Sequence, residues 1–81
     1  MRLTDRSVRV LMAIAEHPGA CNREVAERSG IIDQGQISKL LARLARLNLA
    51  ENLGNGQQVG MPNAWRLTPL GAKLERATRP L

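Results

Sequence analysis

The chain has almost no aromatic side chains: Trp65 stands alone, with no Phe and no Tyr among 81 residues. That argues against single-strand nucleic-acid binders, which stack successive bases on aromatic rings. One cysteine, Cys21, cannot close an internal disulfide, so a disulfide-framework secreted domain is excluded. The longest apolar run, residues 10–15, is far short of the ~20 residues a membrane span requires. No charged stretch leads into an apolar segment of signal-peptide type, so no membrane partner is expected and the default location is cytoplasmic. His17 is the single histidine, and with Cys21 it offers two candidate ligands where zinc needs about four. Pro18-Gly19 separates the pair, so His17 and Cys21 share no helical face for nucleophilic chemistry. The Gly-rich stretch 54–60 lacks the G-x-x-x-x-G-K-[ST] pattern of a nucleotide-binding loop. Neither enzymatic activity nor a cofactor or metal is expected.

What is present is a core and a charge bias. Hydrophobic residues make up 43% of the chain, enough for one small domain spanning 1–81. Twelve Lys and Arg against seven Asp and Glu leave a net charge of +5. On so short a chain this points to a polyanionic partner or an anionic surface.

Periodicity divides the chain into helices around one hairpin. Residues 4–16 carry Val8, Leu11, Met12 and Ala15 at i, i+3, i+4, i+7, which builds one apolar stripe, with Thr4 or Asp5 as cap. His17-Pro18-Gly19 ends that helix. Residues 20–29 read as a short second helix, with Cys21 and Glu24 at capping-box spacing, Val25 and Ala26 inward, and Gly30 as left-handed terminator. Ile31 plugs the connection to a third helix. There Asp33 and Gln36 form a D-x-x-Q box, and Ile37, Leu40, Leu41, Leu44 and Leu47 form a continuous stripe. No acid occurs between Gln34 and Leu49, and Asn48 suits the left-handed closing position. Residues 51–53 and 64–67 read as short strands around an uncharged, turn-rich tip. Thr68-Pro69 starts a last helix, with Leu70, Leu74 and Ala77 predicted on its inner face.

The fold class is therefore mainly α with a small β-hairpin: a three-helix core plus wing and C-terminal helix, the winged helix-turn-helix order. Specific residues carry a resemblance. Residues 22–30 (NREVAERSG) match the first half of a helix-turn-helix, with the small Ala26 where helices cross and Gly30 at the turn. Residues 31–49 resemble the turn and recognition helix of the MarR-like winged-helix family, and residues 64–71 (AWRLTPLG) its second wing strand and following helix. The likeness spans residues 5–77 and extends, less closely, to short modules fused to other regulators. It implies a bacterial transcription regulator that binds double-stranded DNA. The turn after Gly30 is one residue longer than the minimal motif. The long dimerisation helices of that family's regulators do not occur in this sequence, so ligand sensing is not carried over. A homodimer through the first and last helices, or a covalently linked regulator domain, is the expected assembly.

The recognition helix, residues 34–46, would enter the major groove and the hairpin, residues 50–67, would lie on the flanking backbone. Gln34, Gln36 and Ser38 are candidates for base edges, since a Gln amide bonds bidentately to adenine. Lys39 and Arg43 are candidates for phosphates, or for guanine where the helix lies deep, and Arg46 joins them on the same DNA-facing meridian. In the wing, Asn55, Gln57 and Gln58 suit a minor groove, and Arg66 a phosphate. Backbone N–H groups opening the second and third helices are further candidate anion sites. Against these stand plainer roles: Gln36 as a capping partner and Trp65 as core filler. Arg2, Arg6 and Arg9 read as solubility charges or as phosphate contacts, with the former preferred. The rival function is a protein-interaction or dimerisation module without DNA contact, because the fold alone does not fix function.

Overall fold

The computed structural model describes residues 3–54 and 63–79. Element order is α1 (Asp5–Glu16), α2 (Asn22–Ser29), α3 (Gln34–Arg46), β1 (Ala50–Asn52), β2 (Trp65–Leu67) and α4 (Pro69–Thr78). This is the winged-helix architecture expected from the sequence. β1 and β2 pair antiparallel, Glu51 opposite Arg66.

The cap chemistry is local and legible. Thr4 Oγ1 accepts the Ser7 N–H at 3.2 Å, and Thr68 Oγ1 accepts that of Gly71 at 3.0 Å, with Pro69 at the first helical position. Gly30 takes φ 76° and Asn48 φ 60°, the left-handed conformation that closes α2 and the turn after α3. α2 starts two residues later than its sequence suggests. Ala20 is drawn out of the helix because it pairs with Trp65 as a one-residue bridge: Trp65 N–H donates to Ala20 C=O at 2.9 Å, and Gly19 N–H to Trp65 C=O at 2.8 Å.

Two helices bury a face other than the predicted one. α1 buries Ser7, Val10, Leu11, Ala13 and Ile14, whereas Val8, Met12 and Ala15 are only half-buried. With apolar residues nearly all round, α1 is oriented by its neighbours, since it packs on α2, α3, α4 and β2 at once. α4 buries Gly71 and Glu75 while Leu70 is 50% exposed, Leu74 is half-buried and Ala77 is exposed. Close approach explains the rotation. A methyl at Gly71 would overlap the Leu49 carbonyl, at 2.8 Å from its carbon, so only glycine lets α4 sit this close. Thr68 Oγ1 completes the junction by donating to the Asn48 carbonyl at 2.6 Å.

The rotation places a carboxylate inside. Glu75 is buried, and Arg79 one turn on donates to both its oxygens, Nε to Oε2 at 2.7 Å and Nη2 to Oε1 at 2.6 Å. Those bonds hold the Glu75 carboxyl below the usual carboxylate range, against a burial effect that raises it. A depressed folded-state pKa means stability that is intact above the unfolded value and lost as pH falls through the folded one.

Two tests follow from α4. Gly71→Ala is expected to lower unfolding free energy by about 1–3 kcal/mol, the cost of overpacking against a backbone that cannot yield. Urea midpoints compare it with the parent chain. Glu75→Gln is expected to flatten the acid-side fall in stability below the usual carboxylate range, measured as thermal midpoint against pH. An unchanged profile would place the acid sensitivity elsewhere.

Candidate nucleic-acid interface

α3 is presented by its caps and its buried stripe. Asp33 Oδ1 accepts the N–H of Gly35 at 2.8 Å and of Gln36 at 3.3 Å, which fixes the helix start. Ile37, Leu41 and Leu44 are buried in the core, with Leu40 and Leu47 packed against it. At 3.6 residues per turn, Lys39, Arg43 and Arg46 then fall within about 60° of one another on the opposite side. All three are exposed. Among the described residues none of the three has an ion-pair partner, whereas Arg9, Arg23, Arg66 and Arg79 each pair with an acid. Cations in the last turn also suit the negative end of the helix dipole.

The leading end is polar and small. Gln34, Gly35 and Ser38 are exposed in the first turns of the helix. Gln36 is half-buried, and its side chain lines a cleft between α1 and α3 next to Leu40. Its part in the cap is the backbone N–H given to Asp33. The expected anion sites at helix starts are already filled by carboxylates. Glu24 Oε1 accepts the Cys21 N–H at 3.2 Å, a bond that holds the Glu24 pKa below its ordinary value. At the start of α3 Asp33 Oδ1 takes the N–H groups of Gly35 and Gln36. A phosphate arriving at either start would meet negative charge.

In the hairpin, Arg66 is exposed and paired with an acid. Its Nε donates to Glu51 Oε1 at 3.0 Å across the ladder, and Nη2 donates to the same oxygen. The cleft it lines is formed by α1, β2 and α4 side chains, none from α3. Asn55, Gln57 and Gln58 lie outside the described residues.

A hydrogen-bond strut that periodicity does not reveal ties the hairpin to the helix-turn-helix. Asn22 Oδ1 accepts from Trp65 Nε1 at 2.6 Å and from Asn63 Nδ2 at 3.1 Å. Asn63 Oδ1 in turn accepts from Asn52 Nδ2 at 2.8 Å, and Asn52 Oδ1 from the Ala64 N–H at 3.0 Å. Trp65 is core filler, as expected, with its one polar atom satisfied at the first residue of α2. His17 also has a partner: its Nε2 lies 2.6 Å from Arg28 Nη1. Among the described residues no three His, Cys, Asp or Glu side chains gather into a metal site, and no helix is long and apolar enough to cross a membrane.

Comparison with known proteins places this geometry. No family model matches the sequence, and no curated protein does. Among solved structures the chain is similar to the PcaV transcriptional regulator of Streptomyces coelicolor, at 32% identity over 91% of this chain with a TM-score of 0.80. It is also similar to MarR of E. coli, at 23% identity over 93% of the chain and a TM-score of 0.80. FabT of Streptococcus pneumoniae, solved in complex with DNA, matches at 17% identity over 93% of the chain with a TM-score of 0.79. The chain spans about half the length of these proteins: 51% of PcaV, 54% of MarR and 51% of FabT.

The strut yields a direct test. Asn22→Ala leaves the Trp65 indole N–H and the Asn63 amide without their acceptor, and is expected to cost about 1–3 kcal/mol. Because Trp65 is the only tryptophan, its emission reports the site. A red shift in the folded variant is the expected result.

Proposed function

We propose that this chain, a winged-helix domain of the kind found in MarR-family transcriptional regulators, binds double-stranded DNA as all or part of a bacterial regulator. The observation that carries the reading is the outward face of α3. Lys39, Arg43 and Arg46 stand exposed without acidic partners while the helix is anchored by Ile37, Leu41 and Leu44. A helix so charged fits the major groove, where Gln34 and Ser38 at its leading end meet base edges and the cations farther along meet phosphates. The similarity to FabT, a protein solved with DNA, supports the same class of partner. Gln36 acts from the edge of this surface. Arg66 serves only when a phosphate displaces Glu51 from it. Asn55, Gln57 and Gln58 are the minor-groove candidates of the wing. The protein works in the cytoplasm, as a homodimer or joined to a second regulator domain. One such module covers only ~600–1,000 Å² of DNA, and pairing supplies the rest of the specificity. No catalytic role is assigned.

A second reading, an interaction module without DNA contact, is favoured by one feature: the groove between Leu49, Leu70, Leu74 and Ala77, whose lining is mostly apolar. Salt dependence separates the two. Contact with about four to six phosphates predicts a log–log slope of roughly −4 to −5. A flat response would favour the adaptor. Lys39→Ala with Arg43→Ala is expected to abolish duplex binding with the circular dichroism spectrum unchanged. Retained affinity in that folded variant would move the contact surface off α3.

A further inference from the structure

The N-terminal half of α1 meets the flank of α3 in a cleft of about 460 Å³. Three arginines line it, Arg6 and Arg9 from α1 and Arg43 from α3, together with Gln36. The only acid on its wall is Asp5, whose side chain is 86% exposed and pairs with Arg9 at 3.4 Å. The cleft therefore carries a net charge of +2 from its lining side chains: three guanidinium groups less one carboxylate. Arg9 extends beyond the cleft. Its Nη1 would lie 3.6 Å from a β-carbon at Gly30, so the guanidinium sits over the turn that joins α2 to α3. Arg6 has no ion-pair partner among the described residues and is exposed.

Like charges gathered within a Debye length, about 8 Å at physiological salt, repel unless a counter-charge joins them. Simple solubility charges gain nothing from such clustering, and helix surfaces ordinarily place acids between basic residues. Here the clustering is continuous, through Arg43, with the cationic face of α3. Arginine's planar fork matches phosphate oxygens in pairs, and the Gln36 amide adds a neutral donor.

We propose that Arg6 and Arg9, with Arg43, form a second phosphate-binding element. It grips the duplex backbone beside the groove that α3 enters, so that α1 fixes the depth and tilt of the recognition helix. This rests on the DNA-binding reading of α3 and extends it to a helix outside the helix-turn-helix. The contacts go to phosphate alone, so their contribution is the same for every sequence. Of the two roles the sequence leaves open for Arg6 and Arg9, solubility or phosphate contact, this proposal takes the second.

The experiment uses the 81-residue chain and two ~20-bp duplexes of unrelated sequence, two helical turns each, titrated from about 50 to 200 mM salt. Arg6→Gln with Arg9→Gln is expected to lower the magnitude of the salt slope by about 1.8, two phosphates at about 0.9 each, equally on both duplexes. Arg6→Lys with Arg9→Lys keeps the parent slope, and so does Lys73→Gln on α4. Arg6→Gln alone, which breaks no ion pair, gives a fall of about 0.9 and serves if the double variant is poorly folded. A folded Gln double variant with the parent's slope overturns the α1 contact and leaves the α3 reading standing. A parent chain that binds neither duplex, or binds with no salt dependence, overturns the DNA reading itself, and the α1 contact with it.

Discussion

Three side chains on α3 set the rest of the molecule in order. Once Ile37, Leu41 and Leu44 are driven into the core, helical periodicity leaves no choice about where Lys39, Arg43 and Arg46 go. Each of those buried residues removes an aliphatic side chain from water, and truncating one of them to alanine in a packed core costs about 2–5 kcal/mol. Rotating α3 by a quarter turn to hide a cation would forfeit much of that burial and strand a charge as well. The cationic face is thus held outward by hydrophobic packing, a far stronger constraint than any interaction the exposed residues make with one another.

The hairpin is held just as firmly, by different means. β1 and β2 are three residues each, too short to stand alone. Their stability is borrowed from the helices on both sides. The Ala20 bridge secures β2 to the chain entering α2, Asn22 takes the indole N–H of Trp65, and Leu49 and Asn48 receive Thr68 and Gly71 at the start of α4. The hairpin's base and α3 therefore move as one body. A ligand that required the two to change their relative angle would have to break several of these hydrogen bonds together.

Legibility in the sequence follows how local each determinant is. Caps and left-handed closures depend on a few consecutive residues, and Thr4, Cys21, Gly30, Asp33, Asn48 and Thr68 all play the parts their neighbours imply. The stripe of α3 is equally clear, because its apolar positions leave only one way to pack. α1 and α4 are misread for opposite reasons. α1 has more apolar positions than its buried face needs, so neighbours rather than pattern select Val10 and Ile14 over Val8 and Met12. α4 has its two innermost positions occupied by Gly71 and Glu75, residues that no hydrophobic count would place inside. Closeness demands the first, and Arg79 neutralises the second. The asparagine strut escapes for a third reason: Asn22 and Asn63 are 41 residues apart, and only the folded chain brings them together.

Charge placement is the last step in the argument. An excess of five positive charges spread evenly would give a weak field in every direction. Instead, four arginines each stand beside an acid: Arg9 by Asp5, Arg23 by Glu27, Arg66 by Glu51 and Arg79 by Glu75. The three pairs other than Arg79–Glu75 are solvent-exposed and add little stability, typically 0 to about 1 kcal/mol each, so their effect on the fold is slight. Their effect on the field is larger, because each one removes a positive charge from its own locality. What survives uncompensated includes Lys39, Arg43 and Arg46 along α3 and Arg6 beside it. Arg28, Lys73 and Arg76 also lack an acidic partner among the described residues, but α3 sets three such charges on one face, and their field fades beyond a Debye length as salt rises. The acids of this chain matter to recognition mainly by where they cancel charge, and α3 is the helix from which they are missing.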